Sequence, residues 1–295
     1  MSLRDYMGRV EILTVARIAS FGYFLTIEEE EEDEDVLLHF SETDQKFEEG
    51  DEVRVFIYSD SQGRACSSTF IPSIAVGKYD WVKVTDRKEG IGCFFDIGLK
   101  KDMLLGEDDL PVHEEVWPEV GDMLYITLKV NKNNYLYVKP ATDPIIEEMA
   151  AIATREDFNK NIHGYIYRTA KVGSWIYTAE GFKGFIHESE RGKEPRLGEK
   201  VNGRIIDVKL DGTVNVSLLP RKEEALDKDS QLILDYLITR KGAMPYGDKS
   251  MPEDIKERFN LSKGSFKRAL GRLMKENKVY QEEGWTYLKE DNQNN

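Results

Sequence analysis

One order of residues occurs three times along the chain, and a repeated small module constrains a fold more than any single residue does. Around His39 the order is Gly8, then "FGYF" (Phe21–Phe24), "LLHFSE" (Leu37–Glu42) and "EEGDEVRVFI" (Glu48–Ile57). Around His187 it is Gly164, "VGSW" (Val172–Trp175), "FIHESE" (Phe185–Glu190) and "RLGEKVNGRII" (Arg196–Ile206). Between them run Gly77, "IGCF" (Ile91–Phe94), "LPVHEE" (Leu110–Glu115) and "EVGDMLYITL" (Glu119–Leu128). This alignment gives His39, His113 and His187, three of the chain's four histidines, one shared place in a module of about 60–70 residues.

Within each copy, β-branched and aromatic residues alternate with polar ones in short runs such as "VRVFIY" (Val53–Tyr58) and "LYITLKV" (Leu124–Val130). Several short strands with Gly, Asp and Asn at their turns, and no helical period, predict a small closed barrel rather than an open sheet. The closing hairpins, "SDSQGRACSS" (Ser59–Ser68) and "KLDGTVNVSL" (Lys209–Leu218), carry glycine turns of the required kind. The predicted modules are residues 1–72, 73–142 and 159–222, with a helix over Asp143–Phe158 joining the second to the third.

Gly, then Phe-Gly-x-Phe, then apolar-x-His-x-Ser, then Gly-Asp-x-Val-x-Val, then Asp-x-x-Gly-Arg resembles the S1-type RNA-binding domain, a five-stranded OB-fold barrel. The resemblance implies that two aromatics, the histidine, and the Asp and Arg of the last hairpin share one face and contact RNA. Copy one matches residue by residue at Phe21, Phe24, His39, Asp60 and Arg64. Copy two departs, with Ile91, Phe94, His113, Asn131 and Tyr135. Copy three has Val172, Trp175, His187, Val208 and Thr213, where Lys171, Tyr177, Arg204 and Lys209 could compensate. Aromatic rings on such a face stack unpaired bases, at about 1–3 kcal/mol per base, while cations follow the backbone.

The pattern turns helical after Leu219. From Ser230, Leu232, Ile233, Tyr236 and Leu237 fall on one face, and "MPEDIKERF" (Met251–Phe259) follows with a proline near its start. Ser262 reads as the N-cap of "KGSFKRALGRLMKEN" (Lys263–Asn277), and "KVYQEEGWTYLK" (Lys278–Lys289) as a hairpin turning near Glu283–Gly284. Three helices and a hairpin over 223–290 make a winged helix-turn-helix, with a disordered tail expected over 291–295. Phe266, Leu270 and Leu273 form the predicted buried stripe of the third helix, leaving Lys263, Lys267, Arg268, Arg272 and Lys275 outside, with Lys278 just beyond it. Such a helix follows a turn in readers of the DNA major groove, but no residue typical of adenine readout stands beside the arginines. The fold class is therefore multidomain and mostly β: three tandem S1-type barrels and a winged helix. That order, with "SFKRALGRLMKENKV" (Ser265–Val279), resembles the conserved virulence factor B (CvfB) family over about residues 5–290, which implies an RNA-binding regulator of virulence-factor and toxin production.

Charge separates the two ends. Residues 1–158 hold 16 Lys and Arg against 34 Asp and Glu, whereas residues 159–290 hold 25 against 20. A polyanion is therefore expected on the C-terminal part, through the third barrel and the winged helix, despite the fuller motif of copy one. The run "EEEEEDED" (Glu28–Asp35) reads as a solvated hairpin tip that would repel phosphate. The two cysteines, Cys66 and Cys93, lack zinc spacing and read as isolated thiols; no metal or cofactor is expected. No apolar run approaches the ~20 residues of a membrane span, and the N-terminal residues lack a secretory apolar core, so a cytoplasmic location is expected. Four small modules leave no catalytic domain, so the expectation is a non-catalytic protein that takes single-stranded RNA. The alternatives are a DNA-binding transcription factor acting through the winged helix, or an adaptor whose acidic N-terminal half grips a basic protein.

Overall fold

The structure is a computed structural model describing residues 3–26, 35–60 and 62–289, so most of the acidic run and the last residues lie outside it. It forms two compact units, Met1–Leu219 and Pro220–Asn295.

The first unit opens with a single turn, α1 (Leu3–Tyr6), then β1 (Val10–Ala19), β2 (Gly22–Thr26), β3 (Val36–His39), β4 (Glu52–Ser59) and β5 (Ala65–Ser68). These close into a barrel in the order β1-β2-β3-β5-β4, with β3 and β5 parallel through Leu37↔Cys66. Leu13, Val15, Leu25, Leu38, Val55 and Ile57 fill its interior. The second module comprises β6 (Asp80–Lys88), β7 (Gly92–Phe95), β8 (Met103–Gly106), β9 (Met123–Val130) and β10 (Leu136–Pro140). Its order, β10-β9-β6-β7-β8, is that of the barrel, but β8 and β10 are edges, so the expected closure is not made by hydrogen bonds. After α2 (Asp143–Met149), the strands β11 (Asn161–Ala170), β12 (Gly173–Thr178), β13 (Lys183–His187), β14 (Lys200–Val208) and β15 (Val214–Ser217) close a second barrel.

The three copies bend alike. The first strand of each breaks register at one place, between Val15 and Arg17, Val84 and Asp86, and Ile166 and Arg168. A bulge increases the local twist and coils a long strand around a small sheet. The glycine of the Phe-Gly-x-Phe motif is equally geometric: a Cβ on Gly22 would sit 2.5 Å from the Leu38 carbonyl oxygen across the sheet.

The modules of this unit share interior. Phe56 and Tyr58 project from the far face of β4 into the cluster of the second module, which Leu197 of the third copy also joins. Arg196 donates to both oxygens of Asp122, at 3.0 and 3.2 Å.

The predicted linker helix is shorter than its sequence suggested. α2 ends at Met149, after which the chain runs extended along the last barrel: the Ala151 amide donates to the Gly181 carbonyl at 2.9 Å and Ala153 to Gly212 at 3.0 Å. Only a 3-10 turn at Arg155–Asp157, closed by a Thr154–Asp157 capping box, remains of the rest.

The second unit holds α3 (Lys222–Thr239), β16 (Ala243–Met244), α4 (Pro252–Phe259), α5 (Lys263–Lys275), β17 (Val279–Glu282) and β18 (Trp285–Leu288). α3 begins eight residues before the start expected at Ser230. Its first half, "KEEALDKD", is mostly charged, with Leu226 packed on the core, so an apolar period could not reveal it. Asn260, at φ 53°, ends α4, and the Ser262 hydroxyl accepts from the Ser265 amide at 3.1 Å to cap α5. Glu283 and Gly284, at φ 49° and 84°, make the left-handed two-residue turn of the wing. The fold is thus mostly β, with S1-like barrel modules and a C-terminal winged helix. Among the described residues, no helix is long and apolar enough to cross a membrane.

Candidate nucleic-acid interface

The repeated His-x-Ser has a local cause. The Nδ1 of His39 accepts from the Ser41 amide at 3.1 Å and lies 2.6 Å from the Ser41 hydroxyl, capping the 3-10 turn Phe40–Glu42. His187 does the same with Ser189, at 3.2 and 2.8 Å. An Nδ1 that accepts an amide proton leaves the ring proton on Nε2, so each exposed imidazole presents a donor. His113 does not share this place, as the alignment had it. Gly22 pairs with His39 and Gly173 with His187, but Gly92 pairs with Gly106. "LLGEDD" (Leu104–Asp109) is the true counterpart, and its 3-10 turn forms without a side-chain cap.

The last hairpin also follows one plan. Asp60 accepts from the amides of Gln62 and Arg64 at 2.8 and 3.0 Å, and the Arg64 guanidinium folds back onto it at 2.7 Å. Burial alone would raise the Asp60 carboxyl, but these hydrogen bonds hold it below the usual range. Asn131 accepts from Asn133 and Tyr135 in the same way. In the third copy, Lys209 rather than Val208 takes the place of Asp60: its amide donates to Thr213, as those of Asp60 and Asn131 donate to Arg64 and Tyr135. A cation stands where copy one has a carboxylate.

The aromatic residues of the motif carry a lid. Arg17 lies over Phe24, 3.6 Å from the ring centre, and pairs with Asp35, while Phe21 remains exposed beside Phe24. Arg168, facing Trp175 across the sheet as Arg17 faces Phe24, lies 4.2 Å from the centre of that ring. Phe185 packs against Trp175 at 5.0 Å. The half-buried Trp175 therefore offers a base no free face unless Arg168 moves, and its expected role as an open stacking platform is corrected. Tyr177 is corrected too, because its hydroxyl donates to the Met149 carbonyl at 3.2 Å and its ring packs on the α2 cluster.

The covering element is acidic. Asp143 of α2 bonds Arg168 and accepts from the Tyr167 hydroxyl at 2.9 Å, and Lys183 reaches Asp143 at 3.3 Å and Glu147 at 2.5 Å. Ile146 between them is fully buried. Burial alone would raise the Asp143 carboxyl; the Tyr167 hydroxyl, Lys183 and Arg168 outweigh it and hold it low. A depressed carboxyl stabilises the fold above its unfolded value, ~3.9, and loses that contribution as pH falls through the folded value. Asp143→Asn is accordingly expected to cost about 1–3 kcal/mol at neutral pH. Urea unfolding should show the difference from the parent shrinking on acidification below that unfolded value.

The other predicted residues separate. Lys171 and His187 are exposed at the ends of β12 and β13, and Lys209 at the hairpin. Arg204 pairs across to Asn161 instead, donating to Asn159 at 3.2 Å, on the side of the barrel where Tyr165 faces Lys200. In the winged helix, Phe266, Leu270 and Leu273 are fully buried, whereas Lys267, Arg268 and Lys275 are exposed and Lys263 half-buried. Arg272 is held by Asp227 at 2.5 Å and Glu276 at 2.8 Å, and Lys278 by Glu276 at 2.8 Å, so these two are corrected from open cations to paired ones.

Sequence reasoning missed a belt of half-buried rings joining the second module to the third. Tyr79 stacks on Tyr125 at 5.6 Å, and Trp81 lies 5.3 Å from Tyr125, 5.1 Å from Tyr165 and 6.0 Å from Tyr177. Its signal was present, since Trp81 and Tyr165 occupy strand positions that a solvent-facing sheet gives to polar residues.

Family models follow this architecture. An S1 domain model matches residues 7–69, the CvfB first S1-like domain residues 79–139, the second domain of virulence regulatory factor CvfB residues 146–220, and the CvfB-like winged helix domain residues 231–288. Conserved virulence factor B of Staphylococcus epidermidis is 40% identical over 95% of this chain and 94% of its own. The chain belongs to the CvfB family. A Bacillus subtilis relative, uncharacterized protein YitL, is 49% identical over 96% of this chain and 93% of its own. The crystal structure of a multidomain protein with nucleic acid binding domains from Streptococcus pneumoniae superposes with a TM-score of 0.63 at 34% identity, covering 97% of this chain and 99% of that one. The CvfB second-domain match begins within α2, in keeping with that helix packing on the third barrel.

Proposed function

We propose that this CvfB-family protein is a nucleic-acid-binding regulator of gene expression that takes single-stranded RNA without cleaving it, in the cytoplasm, acting after transcription. The observation that carries the reading is the outer face of α5. Lys263, Lys267 and Lys275 make no ion pair among the described residues, and Arg268 donates to the Ser265 hydroxyl at 3.1 Å while its charge also acts on Asp229 of α3. Three lysines outside any ion pair and an exposed arginine, on a helix fixed by a fully buried stripe, form a phosphate-binding strip. The S1-like modules, and a relative described as having nucleic acid binding domains, support the same ligand class. In the third barrel, Lys171, Lys209 and the Nε2 of His187 add donors. Modules linked on one chain raise each other's effective concentration, so individually weak sites suffice.

Fluorescence anisotropy with a labelled single-stranded RNA, competed by unlabelled RNA and by duplex DNA of the same sequence, tests this. Single-stranded RNA is expected to compete at least about tenfold better, with affinity falling steeply as salt rises. Tighter binding of the duplex would transfer the function to DNA. RNA fragments formed with Mg²⁺ and abolished by EDTA would overturn the non-catalytic reading.

A further inference from the structure

The faces on which the motif would stack bases are partly taken, by Arg168 over Trp175 and by α2 over Tyr177. A different surface of the same unit sets half-buried rings beside a cleft with an exposed cation at its rim. Beside the ring belt lies a cleft of about 330 Å³, lined by Trp81 of β6 and by His163, Tyr165, Tyr177 and Lys200 of the third barrel. That size falls in the ~300–1,000 Å³ range of ligand clefts. Gly164 on its floor lies so close to β12 that a Cβ there would meet the Tyr177 carbonyl oxygen at 2.3 Å, and no lining residue is acidic. Tyr165 pairs across to Lys200, and His163 to Asn202, so the two rings and the Lys200 cation share one outward face of β11 and β14. His163 and Lys200 are exposed, and neither side chain is engaged by another described residue.

We infer that this cleft is a nucleobase-binding site, in which an unpaired base lies against Trp81 and Tyr165 while Lys200 and His163 take the flanking phosphates. The inference rests on the single-stranded RNA reading above and gives it a location away from β13, which carries His187. Flat π surfaces are matched by a base, which has a ring face whatever its identity. The two polar groups at the rim are a cation and an imidazole, both suited to an anion. Arg204, two residues beyond Asn202 on β14, extends the cationic edge in the direction a strand would leave. Binding here needs no displacement of α2, and both the second module and the third contribute to it.

The test uses the full chain and a single-stranded RNA of about 12 nucleotides carrying 4-thiouridine, a length within the usual footprint of a barrel of this kind. Tyr165→Ala is expected to weaken binding about tenfold and Tyr165→Phe to leave it unchanged, because the ring alone stacks. Lys200→Gln should lower the slope of log affinity against log salt by about 0.7. Photocrosslinks should map to the peptides holding Trp81 and Tyr165. Should Tyr165→Ala not fold, the exposed Lys200→Gln and the crosslink map still decide. Parental affinity and slope in the variants, with crosslinks elsewhere, would overturn this site and leave RNA binding standing. Failure of the parent chain to bind the RNA at all would remove both.

Discussion

Replacing Lys263, Lys267, Arg268 and Lys275 together by glutamine is expected to weaken single-stranded RNA binding roughly two-hundredfold at ~0.15 M salt. The magnitude follows from counterion release. At the slope of about 0.7 per neutralised phosphate that applies to a single strand, each contact contributes a factor of roughly 4 at that salt, and four contacts multiply. Glutamine propagates a helix nearly as well as lysine or arginine, so α5 should persist. Its anchoring stripe, Phe266, Ala269, Leu270 and Leu273, is untouched. The slope of log affinity against log salt should drop by about 3. Arg272→Gln offers the contrast, because its guanidinium already holds Asp227 and Glu276, and it should change affinity far less. An affinity within fivefold of the parent in the fourfold variant, at unchanged slope, would show that α5 does not meet the strand.

The winged helix and its cationic strip were legible because two signals coincide there. The apolar residues of α5 recur at helical spacing, and the capping serine stands directly before them. The pairing of Arg272 was not legible, since Asp227 lies in the polar half of α3 that the apolar period could not even locate. A charge read from sequence has a sign but no partner.

The repeat fared differently in its parts. Gly22, Gly92 and Gly173 hold one register because a Cβ at each would meet the carbonyl of the facing strand, so the motif glycine fixed the alignment. Histidine did not: in the second copy the 3-10 turn follows Gly106 with no side-chain cap, and His113 stands seven residues on. Likewise, strand alternation tells that Trp175 and Tyr177 point away from the barrel interior, but not what lies over them. The covering helix is amphipathic in a way that composition hides, with Asp143 and Glu147 bonding Arg168 and Lys183 around a buried Ile146. An outward-facing ring beside a neighbouring module can be packing, and only the coordinates separate Trp175, with its lid, from the rings of the open cleft.

Phe56→Ala is expected to destabilise the first unit by about 3–5 kcal/mol, the range for truncating a fully buried aromatic. The reason lies in how β4 is used. Val53, Val55 and Ile57 turn into the first barrel, while Phe56 and Tyr58 turn into the cluster of the second module, so the strand is buried on both faces. This is why "VFIYS" runs unbroken instead of alternating. Removing the Phe56 ring empties space in the cluster that holds Ile74, Val82 and Leu124, residues the first barrel does not own. The loss should therefore appear in both modules. Hydrogen exchange should quicken in β6 and β9 as well as in β4, since cooperative units open through the contacts that join them. Ile57→Val, a change confined to the first barrel's own interior, should cost only about 0.5–1.5 kcal/mol and spare β6 and β9. Faster exchange restricted to β1–β5 in Phe56→Ala would mean that the modules fold independently and that Phe56 merely fills the gap between them.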